Sequence, residues 1–148
     1  MDQDVFDVLR AYPQIYLACH VEHRTRASSS TGLTERDSAL LAHVDDPEGS
    51  RPAALARHLG VQPSTLSAAL ARLKGQGLIR LEADPADGRG RLVRLTETGR
   101  EAIADHSVLD PARLSALLAQ LPASDRRRAV DGLKALAVAA RRYREGQS

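Results

Sequence analysis

The sequence predicts a mainly α chain with one small β-hairpin, and three observations within residues 50–99 carry that prediction. First, Ala53 to Leu59 places Leu55, Ala56 and Leu59 on one helical face, and Gly60-Val61 then breaks the helix where only glycine turns without steric cost. Second, the helical pattern resumes at Ser64, with Leu66, Leu70 and Leu73 spaced four and three apart along one buried stripe. Third, Leu78 to Leu81 reads as a short strand and Arg91 to Leu95 alternates as a second strand. Between them Asp84 to Gly90 (DPADGRG) reads as a loop, being rich in Pro, Gly and Asp. Helix, turn, helix and hairpin in that order form a winged helix-turn-helix, an architecture suited to double-stranded DNA.

The flanking segments read as helices. Val5, Val8, Leu9, Tyr12, Ile15, Tyr16 and Cys19 trace a continuous stripe. Pro13 falls inside it, which predicts a kink near Leu9 or two shorter helices. Ala27 to Gly32 reads as a loop. Thr34 is placed to cap a second helix with Asp37 at the capping-box position, and Leu40, Leu41 and Val44 form its apolar face. After the hairpin a helix begins at Thr96 or Thr98, and Thr98 with Glu101 fits the capping-box spacing. Pro111 and Pro122 bound a further helix over about 111–121. The last helix runs from about Ser124 to Arg144, striped by Val130, Leu133, Leu136, Ala137 and Ala140. A terminal helix of that length has little to pack on within a small domain, which points to a partner chain. The expected organisation is a dimerisation region at 1–32, the winged domain at 33–103 and dimerisation helices at 104–148.

Charge separates along the chain. Residues 1–50 hold 4 Lys and Arg against 9 Asp and Glu, residues 51–100 hold 9 against 4, and residues 101–148 hold 8 against 6. The basic surplus thus coincides with the helix-turn-helix and hairpin, the footprint of a phosphate-binding module. Of the 148 residues 43% are hydrophobic, which indicates a globular chain. No apolar run is long enough to span a membrane, and an acidic N-terminus (MDQDVFD) lacks the positive charge of a signal peptide, so a cytoplasmic protein is expected. No nucleophile elbow, phosphate-cradling glycine loop or His-Glu-x-x-His is present, so neither an enzyme nor a cofactor is expected.

With these elements in place the chain resembles the MarR family of winged-helix regulators. The most specific likeness is Asp87-Gly88-Arg89-Gly90-Arg91-Leu92-Val93-Arg94-Leu95-Thr96-Glu97-Thr98-Gly99, which follows the family's wing pattern of Asp-x-Arg, an apolar strand and Leu-Thr-x-x-Gly. Leu33-Thr34 and Leu78-Ile79 after Gly77 also match. The resemblance implies a homodimer formed by the first and last helices, a pseudo-palindromic operator, repression, and a small-molecule effector.

It also implies that Gln62, Pro63, Ser64, Thr65 and Ser67 meet base edges and phosphates in the major groove. Many relatives have a basic residue just after the position of Ser67, where this chain has Ala68-Ala69. Arg72 and Lys74 read either as backbone contacts or as solvated helix residues. Arg89, between two glycines at what reads as a loop tip, and Arg91 are the wing candidates for a narrow groove. For Arg89 a salt bridge to Asp87 or Asp84 is the competing reading. Cys19 lies on the apolar stripe and reads as a buried small hydrophobe, with a peroxide sensor as the alternative. Cys19 and His23, four apart on one helical face, are the metal-ligand candidates; otherwise such histidines are polar surface. A protein-interaction module with weak DNA binding, or a metal- or redox-responsive member of the family, remain the alternative functions.

Overall fold

A computed structural model describes residues 1–21 and 32–147. Its elements in chain order are α1 (Gln3–Cys19), α2 (Glu35–His43), α3 (Pro52–Leu59), α4 (Pro63–Gly75), β1 (Ile79–Asp84), β2 (Asp87–Leu95), α5 (Glu97–His106), α6 (Pro111–Ala119) and α7 (Ala123–Glu145). They fall into two compact units, Ser28–His106, and Met1–Ala27 together with Ser107–Ser148.

In the unit Ser28–His106, one apolar core is shared by Leu40 and Leu41 of α2, Leu55 of α3, Leu66, Leu70 and Leu73 of α4, and Val93 and Leu95 of β2. Leu41, Leu73 and Val93 are completely shielded from solvent, so aliphatic side chains alone fill this core. The helix-turn-helix angle is fixed by Gly60, whose φ of 62° is left-handed. Its amide donates to the carbonyl of Arg57 at 3.3 Å and that of Val61 to Ala56 at 3.0 Å, the paired bonds of a Schellman motif. The same motif closes α4 at Gly77, where Leu78 N–H reaches the Leu73 carbonyl at 3.0 Å and both leucines are buried.

The Thr34–Asp37 capping box is formed in full at the start of α2. Thr98, however, does not cap α5. Thr96 does, accepting from the Gly99 amide at 3.0 Å and donating to the Gly77 carbonyl at 2.6 Å, so its hydroxyl is used twice. Thr98 lies one residue inside the helix.

The hairpin also departs from expectation. The strands run into the segment read as a loop, leaving only Pro85 and Ala86 between them. The antiparallel register passes from Ile79↔Leu95 through Leu81↔Val93 to Ala83↔Arg91, then jumps to Asp84↔Asp87. Gly88, Arg89 and Gly90 are therefore looped out as a bulge, where Gly90 lacks the Cβ that would press on Asp84 and Asp87. Ser50 exchanges backbone hydrogen bonds of 2.9 and 2.8 Å with Val93, adding a one-residue third rung to the hairpin.

In the other unit α1 continues through Pro13 as one helix, not two. Proline removes the bond to the Leu9 carbonyl, and the Gln14 side chain donates to the adjacent Arg10 carbonyl at 3.2 Å. The end of α1 is tied to the chain before α6: Asp110 N–H reaches the Cys19 carbonyl at 2.7 Å, and Val21 N–H the Val108 carbonyl at 3.1 Å. Tyr16 and His20 stack at 4.4 Å beside this join. Cys19 is the only buried residue of α1, and no described residue of α7 is buried. The expected loop at 27–32 lies outside the described residues except for Gly32.

Candidate nucleic-acid interface

Helix α4 buries Leu66, Leu70 and Leu73, which turns Ser64, Ala68 and Ala71 to the opposite face with Thr65 and Ser67 at its flanks. Gln62 and Pro63 precede them, both exposed; Pro63 opens the helix where a missing N–H is harmless. The accessible N-terminal half of α4 thus presents hydroxyls and methyl groups.

Arg72 is engaged elsewhere. Its Nη2 donates to Asp37, a carboxylate buried in α2 that also completes the capping box. Burial pushes the Asp37 carboxyl up, but the bonds from Arg72 and Thr34 outweigh burial and hold it below its usual value. Arg80 and Arg94 clamp Glu82 at 2.5 and 2.6 Å, and Arg94 also donates to the Pro47 carbonyl. Arg100 forms a two-pronged pair with Asp46 at 2.8 and 2.9 Å.

Arg51 pairs with Asp84 at 2.6 Å. Of the nine cations in residues 51–100, Arg57, Lys74, Arg89 and Arg91 remain without an ion pair among the described residues, and all four are exposed. Asp84 takes Arg51 rather than Arg89, and the Asp87 carboxylate accepts from the Arg89 amide at 3.1 Å, not from its guanidinium. Arg89 therefore stands on the bulge with its guanidinium uncommitted. Sequence reasoning missed Arg57; its place off the Leu55–Ala56–Leu59 face was the available signal.

The ion pairs give this unit a defined response to acid. Asp37, Asp46, Glu82 and Asp84 are all held below their usual values, each by an arginine bond. A depressed carboxylate stabilises the folded state above its unfolded pKa and loses that contribution as pH falls through the folded one. Thermal melting should therefore be nearly flat from pH 7 to about 5 and decline below about 4. A melting temperature that rises on acidification below that point would contradict these assignments.

Cys19 is 1% exposed, in keeping with a packed small side chain. His23 lies outside the described residues, and no cluster of potential metal ligands occurs among the described ones. No helix among them is long and apolar enough to cross a membrane.

Residues 31–90, which span the helix-turn-helix and the hairpin turn, match the model of the MarR family. Over that stretch the chain is similar to the MarR family. Curated relatives agree: the chain is 38% identical over 72 residues to the transcriptional regulator HosA of Escherichia coli O111:H-, covering 49% of this chain and 53% of HosA. It is 31% identical over 96 residues to the transcriptional activatory protein BadR of Rhodopseudomonas palustris, covering 62% and 55%. The chain thus spans about half the length of the curated relatives it matches.

The crystal structure of the transcriptional regulator Tm0710 from Thermotoga maritima superposes with a TM-score of 0.54 at 24% identity, covering 97% of this chain and 99% of that one. That likeness shows a shared fold over nearly the whole chain, including the helices outside the family match. The curated relatives it matches are described as a transcriptional regulator and a transcriptional activatory protein.

Proposed function

We propose that this chain is a homodimeric transcriptional regulator of the MarR family that binds double-stranded DNA, with α4 in the major groove and the hairpin tip at the adjacent minor groove. The observation that carries the reading is Arg89, exposed on a glycine-flanked bulge with no ion pair among the described residues. A guanidinium so presented suits the negative potential of a narrow groove. Gln62, Ser64, Thr65 and Ser67 supply base-edge and phosphate contacts. Lys74 and Arg91 add charge, and Arg72 contributes by holding α4 to α2.

The dimer reading rests on the terminal helices. Val5, Leu9 and Tyr12 of α1 are 52%, 60% and 59% exposed, and Leu133, Leu136 and Tyr143 of α7 are 61%, 55% and 70% exposed. Apolar helix faces of that size are covered in solution, and a second copy supplies matching ones. Asp2, Asp4 and Asp7 at the start of α1 are complementary in charge to Arg141, Arg142 and Arg144 at the end of α7. A cytoplasmic location, repression by occupying a promoter, and release by a small organic effector are finer parts of the proposal, supported by the family likeness alone.

The test is fluorescence anisotropy with the chain's own upstream region and with unrelated duplex, each across a salt series. Arg89→Ala should weaken binding to both by about 1–3 kcal/mol and lower the salt slope by about one. Ser67→Ala should reduce the preference for the upstream region with little change in slope. A folded Arg89→Ala protein with unchanged affinity and slope would remove the hairpin from the interface. The exposed Ala68 and Ala71 favour a second reading, a protein-interaction module with weak DNA binding. Equal and feeble binding to both duplexes is its signature.

A further inference from the structure

Arg51 occupies the N-cap of α3, where Ser, Thr, Asp or Asn would normally satisfy the first free amides. Its side chain makes no capping bond. Instead Nε donates to Oδ2 of Asp84 at 2.6 Å, joining residues 33 apart in sequence. Asp84 is 4% exposed, and its other oxygen accepts from the Ala86 amide at 2.9 Å. One carboxylate therefore holds the helix-turn-helix with one oxygen and the hairpin turn with the other. The bulge rests against it: a Cβ added at Gly90 would lie 3.2 Å from the Asp84 Cβ.

We propose that Arg51 and Asp84 form a brace that fixes the hairpin tip to α3 and thereby sets the reach of Arg89. Arg51 is then a positioning residue, and the proposal rests on the DNA-binding reading above. A two-stranded hairpin is marginal by itself, and its tip is the part furthest from the core. The bulge at Gly88–Gly90 forgoes regular pairing there, so an anchor from outside the hairpin is what limits its motion. The pair qualifies because one partner is buried, unlike surface ion pairs that are screened and loosely held. Each group stabilises the other's charge: Arg51 holds the Asp84 carboxyl low, and Asp84 raises the guanidinium. The choice of arginine at a capping position is accounted for by the same contact.

The test uses the full chain with Arg51→Ser, which installs a good N-cap, and Asp84→Asn, which keeps the shape and removes the charge. Amide hydrogen exchange at Gly88 to Arg91 should quicken by about tenfold or more in both. In anisotropy on a mixed-sequence duplex, Arg89→Ala should cost at least about fivefold less affinity in either background than in the parent chain. Asp84→Asn adds one unit of positive charge, so electrostatics alone predicts tighter binding, whereas loss of the brace predicts weaker binding. Tighter binding by Asp84→Asn overturns the proposal. So does unchanged exchange, or full additivity of Arg51→Ser with Arg89→Ala and a slope lower by about two, the mark of two independent phosphate contacts. Arg51→Ser decides the matter should Asp84→Asn fail to fold. If the parent chain binds no duplex, the DNA reading fails, while the exchange rates still judge the brace.

Discussion

Gly99→Ala should destabilise the winged unit by about 2–4 kcal/mol, although alanine inside a helix ordinarily gains about 1 kcal/mol over glycine. The reason is local. A Cβ at Gly99 would stand 2.1 Å from the carbonyl oxygen of Leu78 and 3.1 Å from its carbon. That oxygen is backbone and already accepts from the Thr96 amide at 3.1 Å, so it cannot yield as a flexible side chain would. To admit the methyl group α5 must back away from the residue that leads into β1, loosening Leu78, Leu95 and Ala102 together. Urea denaturation followed by circular dichroism measures the loss. Gly75→Ala, in open space at the end of α4, is the control and should change stability little. Equal effects at the two positions would show that the close approach of α5 is not made in solution.

Deletion of residues 123–148 should abolish the dimer and lower DNA affinity by about 10²- to 10⁴-fold, because a single winged unit loses the second half-site. The deletion removes α7 and the three residues after it and leaves the helix-turn-helix core intact, since no residue of that core or packed against it lies beyond Ile103. Light scattering should give a monomer or an aggregate, the latter if the exposed face of α1 is left uncovered. A stable dimer of the shortened chain would place the interface elsewhere. Far-ultraviolet dichroism of the remaining helices guards against general unfolding as the cause.

Local periodicity made most of the fold legible. Leu66, Leu70 and Leu73 announce α4, the stripe from Val5 to Cys19 announces α1, and Thr34 with Asp37 marks the start of α2, each signal lying within a few residues of the element it creates. The errors share a cause too. Thr96 caps α5 because its hydroxyl also reaches Gly77, nineteen residues earlier, which no capping-box spacing records. The strands extend into DPADGRG because Arg51 and Ser50 support the hairpin from outside it. Arg72 and Lys74 look alike in sequence, yet a buried carboxylate 35 positions away takes one and leaves the other. Charge count marked the basic segment but not which cations its own acids neutralise. That sorting depends on pairings distant in sequence, and it decides where the accessible charge lies.

The matched glycine closures at Gly60 and Gly77 end α3 just before α4 and end α4 itself. Both are written in backbone hydrogen bonds, with buried Ala56 at the first and buried Leu73 and Leu78 at the second, and neither draws on Ser64, Ser67, Ala68 or Ala71. The proposed recognition surface is thus a cassette: its lettering is separable from the clasp that holds it. Exchanges at those four outward positions fall among surface changes, usually within about 0.5 kcal/mol of neutral. If that face reads DNA as proposed, such a chain can drift toward a new operator without first surrendering its fold, and its plain alanines leave room for more discriminating side chains.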